Sequence, residues 1–394
     1  MWLRTCKRTI FRELKKFVSP YLWTVDAING VDQLTKDEVT FIPEPERFVV
    51  ISGWCLATRK GEVLADLEVA IGDRRYPALY GLIRTDVSCE YKEKRFRHSG
   101  FRCLIAKEDV PRGQPCPISL VMISGTSERV VATGVSFAVD GEKTRGKTFT
   151  SSEQLDFSQF RGELMARQYI AGTGIEIGAL HAPMSVDRRK AKVLYVDRLP
   201  LDQLYRQYPE FKKYDIVAPD IIDGDGELSA VADDCYDFCI SNHVLEHLED
   251  PFKALLNWLR VLKPGGILYL SIPLPDNIVD RRRQATPIAH LINDYRLPEN
   301  DRTAYLRLRV EHFFDFVRGA EIYAGRDDAF CRAKAEELLA MDYSIHYHVF
   351  AEEVLRQLLA AVADTVPHRL VEFLRNEPEE YIVILEKGVV AQAT

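Results

Sequence analysis

Gly174-Ile175-Glu176-Ile177-Gly178-Ala179-Leu180-His181-Ala182-Pro183 is the stretch on which the fold of this chain turns. Its first half is an apolar run too short for a helix and closed by a glycine, the pattern of a buried strand entering a tight turn. A small residue in such a turn lets the backbone come close to a ligand, and the turn amides offer donors to a carboxylate or a nucleotide. A second apolar run, 192–197, ends in Asp197. An acid at that strand end can accept both hydroxyls of a ribose.

Working outward, strand-like runs recur at 214–220, 236–242 and 265–273, and again in HRLVEFLRN and YIVILEK near the end. Helical patterns lie between several of them, notably PLDQLYRQYPE and PFKALLNWLRVLK. Such alternation predicts an α/β fold with a doubly wound, Rossmann-like parallel sheet. Ligands of open sheets of this kind bind beyond the carboxyl ends of the strands, where strand order reverses. About 90 residues separate the fifth run from the sixth, more than a crossover needs, so 274–367 is read as a helical cap insertion.

The first third follows another period. Between about 46 and 140, short alternating apolar runs such as RFVVISGWCLA and PISLVMISG, punctuated by Gly and Pro, predict a small all-β sandwich. Trp54 there is read as core rather than as a sugar-stacking platform. Residues 2–18 form a basic amphipathic helix that either packs on the protein or lies on an anionic membrane surface. The expected organisation is a helix and linker over 1–35, the sandwich over 36–140, a linker and helix over 141–165, and the doubly wound domain over 166–390.

With 394 residues and a net charge of −7, the chain is large enough for two or three domains and lacks the basic balance of a nucleic-acid binder. Its eight cysteines form no CxxC pair, and no carboxylate–histidine cluster at ligand spacing stands out, so no metal is expected. Without a secretory stretch or a membrane-length apolar run, the expected location is the cytoplasm, with peripheral contact at the inner membrane face through residues 2–18.

Residues 172–388 resemble a class I S-adenosyl-L-methionine-dependent methyltransferase domain. GIEIGALHAP resembles its first motif, YVDR its second, DIIDGDGELSAVADDCYDFCISNHVLEHLEDP the stretch through the fourth strand, and LRVLKPGGILYLSIP the fifth strand. VDRRRQATPIAHLINDY and HYHVF resemble a bacterial subfamily found with surface-polysaccharide enzymes. The 46–140 segment resembles a β-sandwich module that accompanies glycosyltransferases. The resemblance implies S-adenosyl-L-methionine as cofactor, with Gly178 and Ala179 along its methionine part, Asp197 on the ribose, Asp225 on the adenine amine and Asn242 facing the reacting end. Glu176, Arg198 and Gly226 complete the implied cofactor set. Leu180 and Ala182 stand where the motif has its second and third glycines, and Pro183 interrupts the crossover, so the first helix is expected to be short or irregular.

A hydroxyl acceptor benefits from a general base, and His243 and His290 are the catalytic candidates. Glu246 and His247 are read as structural, and Arg281, Arg282 and Arg283 as either a phosphate-binding or a solvated turn. The expected activity is methylation of a hydroxyl of a glycan, nucleotide-sugar or lipid-linked saccharide. Methylation of an unrelated small molecule and a non-catalytic binding module are the alternatives. The expected partners are the acceptor and a second copy of the chain.

Overall fold

The structure is a computed structural model. It describes residues 21–139 and 157–388, less 29–30, 33–38, 43–47, 59–63, 65, 83, 125–126, 188–189, 214–215, 225 and 377. The helix expected at 2–18 and the linker expected at 141–152 lie outside the described residues. Two compact units separate near Phe157, with Ser185–Arg189 grouped with the first.

The first unit holds two five-stranded sheets. One runs in the order Val31–Asp32, Tyr21–Ile28, Phe48–Ala57, Gly100–Ala106, Leu79–Leu82; the other runs Val39–Ile42, Ser127–Val139, Cys116–Ser124, Asp66–Ile71, Arg74–Pro77. Alternate residues of both sheets, among them Val49, Ile51, Leu67, Val69, Ile118 and Leu120, share one core, as a period of two requires of half-buried strands. Trp54 is buried on the opposite face with Leu22, Leu56, Val87 and Phe96, so its ring is core.

In the second unit the strands are β1 (Gly172–Ile177), β2 (Ala191–Asp197), β3 (Ile221–Ile222), β4 (Tyr236–Asn242), β5 (Leu262–Pro273), β6 (His368–Asn376) and β7 (Glu380–Lys387). They form one sheet in the order β3-β2-β1-β4-β5-β7-β6. Neighbours from β3 to β5 are parallel, and β7 is antiparallel to both β5 and β6. The central strands read as continuous apolar runs because both faces are covered. The order reverses between β1 and β4, so the crevice lies beyond Ile177 and Asn242.

The helices are α1 (Phe157–Tyr169), α2 (Leu201–Gln207), α3 (Pro251–Arg260), α4 (Ile288–Asn300), α5 (Arg302–Gly319), α6 (Asp328–Ala340) and α7 (Glu352–Ala363). α3 shows why such a segment becomes a helix. Asp250 caps it by accepting from Lys253 N at 2.9 Å, Pro251 takes the first position, and Phe252, Leu255, Trp258 and Leu259 fall on one face. Four helices occupy the long connection, and their buried residues fall in two cores. Leu291 and α7 join the main core, while Phe313, Phe316, Val317, Cys331, Ala335 and Leu338 build a separate small core.

Two expected elements differ. The run 214–220 is not a strand where described; pairing with β2 is confined to Ile221 and Ile222. Pro219 has no N–H to give to a ladder, and the bonding to β2 begins only with Asp220 N, which donates to Tyr195 O at 2.8 Å. The run expected at 265–273 starts earlier, at Leu262, and Pro264-Gly265-Gly266 lies within β5 as a bulge, with register shifting between Tyr236 and Phe238. No described helix is long and apolar enough to cross a membrane.

Candidate functional site

β1 delivers the chain to Gly178, whose N donates to Val196 O at 3.0 Å and whose φ of +64° suits glycine. A Cβ there would come 2.9 Å from Val244 Cγ2. Leu180, in place of the motif's second glycine, keeps a left-handed backbone at φ +44°. Its carbonyl accepts from Val217 N at 2.8 Å. Below the turn, Glu176 is 1% exposed and its Oε1 accepts from Met184 N at 2.7 Å. This folded-back loop stands where a crossover helix would start, and none forms among the described residues of 178–190.

Gly178, Leu180, Asp197, Gly224, His243 and His247 line one cavity of about 470 Å³, within the roughly 300–1,000 Å³ usual for small-molecule sites. Tyr208 and Phe211 also line it, and Phe211 stacks on His181 with ring centroids 4.3 Å apart. Asp197 ends β2 and is buried. Burial pushes its pKa up to about 6, against the backbone N–H groups of Leu199 and Arg198 and the Arg198 charge.

His243 follows β4 in a left-handed backbone, φ +51°. Its Nε2 lies 3.0 Å from Glu380 Oε2 and its Nδ1 4.0 Å from Glu246 Oε1. Burial disfavours the charged ring, but the Glu380 hydrogen bond and the charges of Glu246, Glu380 and Glu379 outweigh it and raise the pKa. Glu380 is held below its ordinary value: burial raises it, and the His243 contact together with hydrogen bonds from Ser271 and Asn376 more than offsets that. The result is an imidazole oriented by a carboxylate on the cavity wall, the arrangement of a general base.

Residues 171–270 match the family model described as a methyltransferase domain. An uncharacterized methyltransferase of Mycobacterium bovis is 46% identical over 41 residues, 10% of this chain and 16% of that protein. One of Mycobacterium leprae is 48% identical over 40 residues, 10% of this chain and 15% of that protein. The chain therefore spans less than a fifth of the length of the curated relatives it matches. The crystal structure of an S-adenosylmethionine-dependent methyltransferase from Aquifex aeolicus aligns at a TM-score of 0.31 and 12% identity, covering 61% of this chain and 99% of that one.

Over residues 171–270 the chain is thus similar to a methyltransferase domain. S-adenosyl-L-methionine is the cofactor that the sequence resemblance implies, and the donor set fits that molecule. Asp197 offers a desolvated carboxylate for ribose hydroxyls, the left-handed turn keeps side chains off the backbone at Gly178, and Tyr208 and Phe211 offer apolar surface. The other implied residues divide. Arg198 lines the cavity and pairs with Asp342 at 3.1 Å. Glu176, Ala179, Gly226 and Asn242 do not line it. Glu176 braces the turn, Gly226 O accepts from Asn257 Nδ2 at 2.9 Å, and Asn242 Oδ1 is buried without a hydrogen-bond partner. Asp225 lies outside the described residues.

Of the catalytic candidates, His243 lines this cavity and His290 does not. His290 sits on α4 in a second group with Asp294, His312 and His348. The arginine turn is not a free anion site. The Arg283 side chain is 2% exposed between Asp280 (2.9 Å) and Asp315 (3.0 Å), and Arg281 pairs with Glu321 at 3.0 Å. His247, read as structural, lines the cavity; its Nδ1 lies 2.9 Å from Ile345 O, and burial pushes its pKa down to about 3.

Several cavity residues escaped the sequence reading. Glu249 accepts from Arg309 Nε at 2.6 Å and from Tyr347 OH at 3.1 Å, while Arg309 also pairs with Asp342 at 2.7 Å. These groups are far apart in sequence and carry no local motif. Glu380 and the aromatic pair Tyr208 and Phe211 were likewise invisible, since a charged strand start and aromatic residues after a helix are ordinary features.

Proposed function

We propose that the protein transfers the methyl group of S-adenosyl-L-methionine to a hydroxyl of a glycan, nucleotide-sugar or lipid-linked saccharide. One observation carries the choice of a hydroxyl: His243, held by Glu380 at 3.0 Å, lines the same cavity as Asp197. A hydroxyl is a poor nucleophile until its proton is removed, and an imidazole held by a carboxylate is suited to remove it. The saccharide part is supported by the likeness of HYHVF and VDRRRQATPIAHLINDY to polysaccharide-associated methyltransferases and by that of the 46–140 segment to a glycosyltransferase-associated sandwich.

Bound there, the cofactor supplies a methyl group already activated by its sulfonium. Asp197 accepts the ribose hydroxyls and fixes the cofactor's position. The backbone at Gly178 would hold its methionine part. Tyr208 and Phe211 exclude water from the apolar wall. His243 takes the proton of the acceptor hydroxyl as its oxygen gains the methyl group, and Glu380 stabilises the imidazolium that results. With so little bond chemistry asked of the protein, alignment supplies much of the acceleration. In this reading the enzyme works in the cytoplasm or at the inner membrane face.

Calorimetry with S-adenosylmethionine and S-adenosylhomocysteine, followed by transfer of labelled methyl to a panel of sugars and nucleotide-sugars, tests the proposal. Binding of both ligands and label in a sugar hydroxyl are expected. Binding without transfer to any sugar would favour a different acceptor or a non-catalytic module, and absence of binding would end the enzymatic reading.

A further inference from the structure

Outside the methyltransferase cavity, four side chains from three separate segments converge. His290 and Asp294 stand one turn apart on α4, His312 comes from α5, and His348 from the stretch before α7. Asp294 Oδ2 lies 3.4 Å from His290 Nε2, 3.6 Å from His312 Nε2 and 3.6 Å from His348 Nε2. One ring nitrogen from each histidine falls within 4.8 Å of the others. We propose that these four residues bind one divalent cation of the zinc class, which ties α4, α5 and the segment leading to α7 together.

Three features point to an ion rather than to packing alone. First, a tetrahedral ion bonded at about 2.0–2.1 Å to nitrogen and oxygen holds its ligand atoms about 3.4 Å apart, close to the three separations found here. Second, Asp294 is 3% exposed, yet neither of its carboxylate oxygens has a hydrogen-bond partner. A carboxylate buried in that way is costly unless a cation compensates it. Third, imidazole and carboxylate are the ligands this class of ion prefers, and four protein ligands close its coordination sphere. A closed sphere outside the cavity lining makes the role structural.

The neighbourhood contains one competing contact. His348 Nε2 lies 3.3 Å from Glu249 O, so without an ion that ring can donate there and the group is a histidine cluster only. A second set, Glu246, His247 and His346, offers three candidate ligands. There His346 Nδ1 is already bonded to Asp280 at 2.6 Å and His247 Nδ1 to Ile345 O.

The test uses the full chain, equilibrated with zinc sulfate, dialysed into metal-free buffer and assayed for metal by mass spectrometry. Stoichiometric zinc is expected in the wild type, with retention reduced about tenfold or more by Asp294→Asn and by His312→Gln, and little changed by His346→Ala. His290→Gln, at the most exposed of the four positions, serves if a buried variant fails to fold. Cobalt in place of zinc should give the intense visible bands of a tetrahedral site in the wild type and lose them in the variants. Chelation should lower the melting temperature of the wild type but not of Asp294→Asn. No retained zinc in the wild type, undiminished zinc in the Asp294 and His290 variants, or loss following His346→Ala instead would each overturn the proposal.

Discussion

At the scale of single residues, His243 and Asp197 are pulled in opposite ways by the same cavity. Glu380 and Glu246 stabilise the imidazolium of His243, so its base form accumulates at higher pH than that of an ordinary histidine. Methyl transfer should therefore rise with pH along a limb whose midpoint lies above the ordinary imidazole pKa. In Glu380→Gln that limb should move to lower pH, because the carboxylate favouring the charged ring is gone. His243→Ala should lower turnover by about 10²–10⁴ while calorimetry finds S-adenosylmethionine affinity nearly unchanged; unaltered turnover would remove the base. Asp197 is a buried carboxyl with a folded pKa of about 6, above its value in an unfolded chain. The folded state thus holds this proton more tightly, and the stability it confers is present at acid pH and lost as pH rises toward and through 6. At neutral pH the ionised group costs up to about 3 kcal/mol, at roughly 1.4 kcal/mol per unit. Asp197→Asn should accordingly melt higher at pH 7.5 yet bind S-adenosylmethionine about 10–100-fold more weakly, since a charged acceptor is lost. For the wild type, affinity should fall as pH drops below about 6.

At the scale of elements, the loop after β1 carries its chemistry in its backbone. Gly178 and Leu180 both have positive φ, but only glycine is at ease there; a leucine costs about 1–2 kcal/mol in that region. Gly178→Ala adds both that strain and a Cβ 2.9 Å from Val244 Cγ2, whereas Leu180→Gly removes strain. The two substitutions should move the melting temperature in opposite directions, Gly178→Ala also weakening cofactor binding; a shared sign would mean that side-chain packing at Leu180 outweighs its backbone. Most of this was legible in sequence. GIEIGA, KVLYVD and YDFCISN announce buried parallel strands by composition, YIVILEK announces a buried strand that the fold makes antiparallel, and Pro183 announces the missing helix. The run 214–220 misled because its apolar residues hide Pro219. Glu380 and His312 had no signal, and nothing tied His290 or His348 to them, because only the fold brings a strand start and three distant segments into place.

For the whole molecule, the separation of cores has a measurable consequence. Phe137 is fully buried among residues of the first unit, and Trp258 among those of the second. Truncating either large side chain should cost about 3–5 kcal/mol, but each in its own core. A ligand binding only the folded second unit stabilises it by RT ln(1 + [L]/Kd), about 2.7 kcal/mol at a hundredfold excess over Kd. In calorimetric scans with S-adenosylmethionine, Phe137→Ala should therefore lower one transition while the ligand-shifted transition and the Kd stay as in the wild type. Trp258→Ala should lower the ligand-responsive transition, because α3 packs beneath the sheet that presents Asp197 and His243. If Phe137→Ala abolished the ligand shift, the two units would unfold as one cooperative body, and the all-β unit would have to be counted as part of the methyltransferase's stability rather than as an independent module.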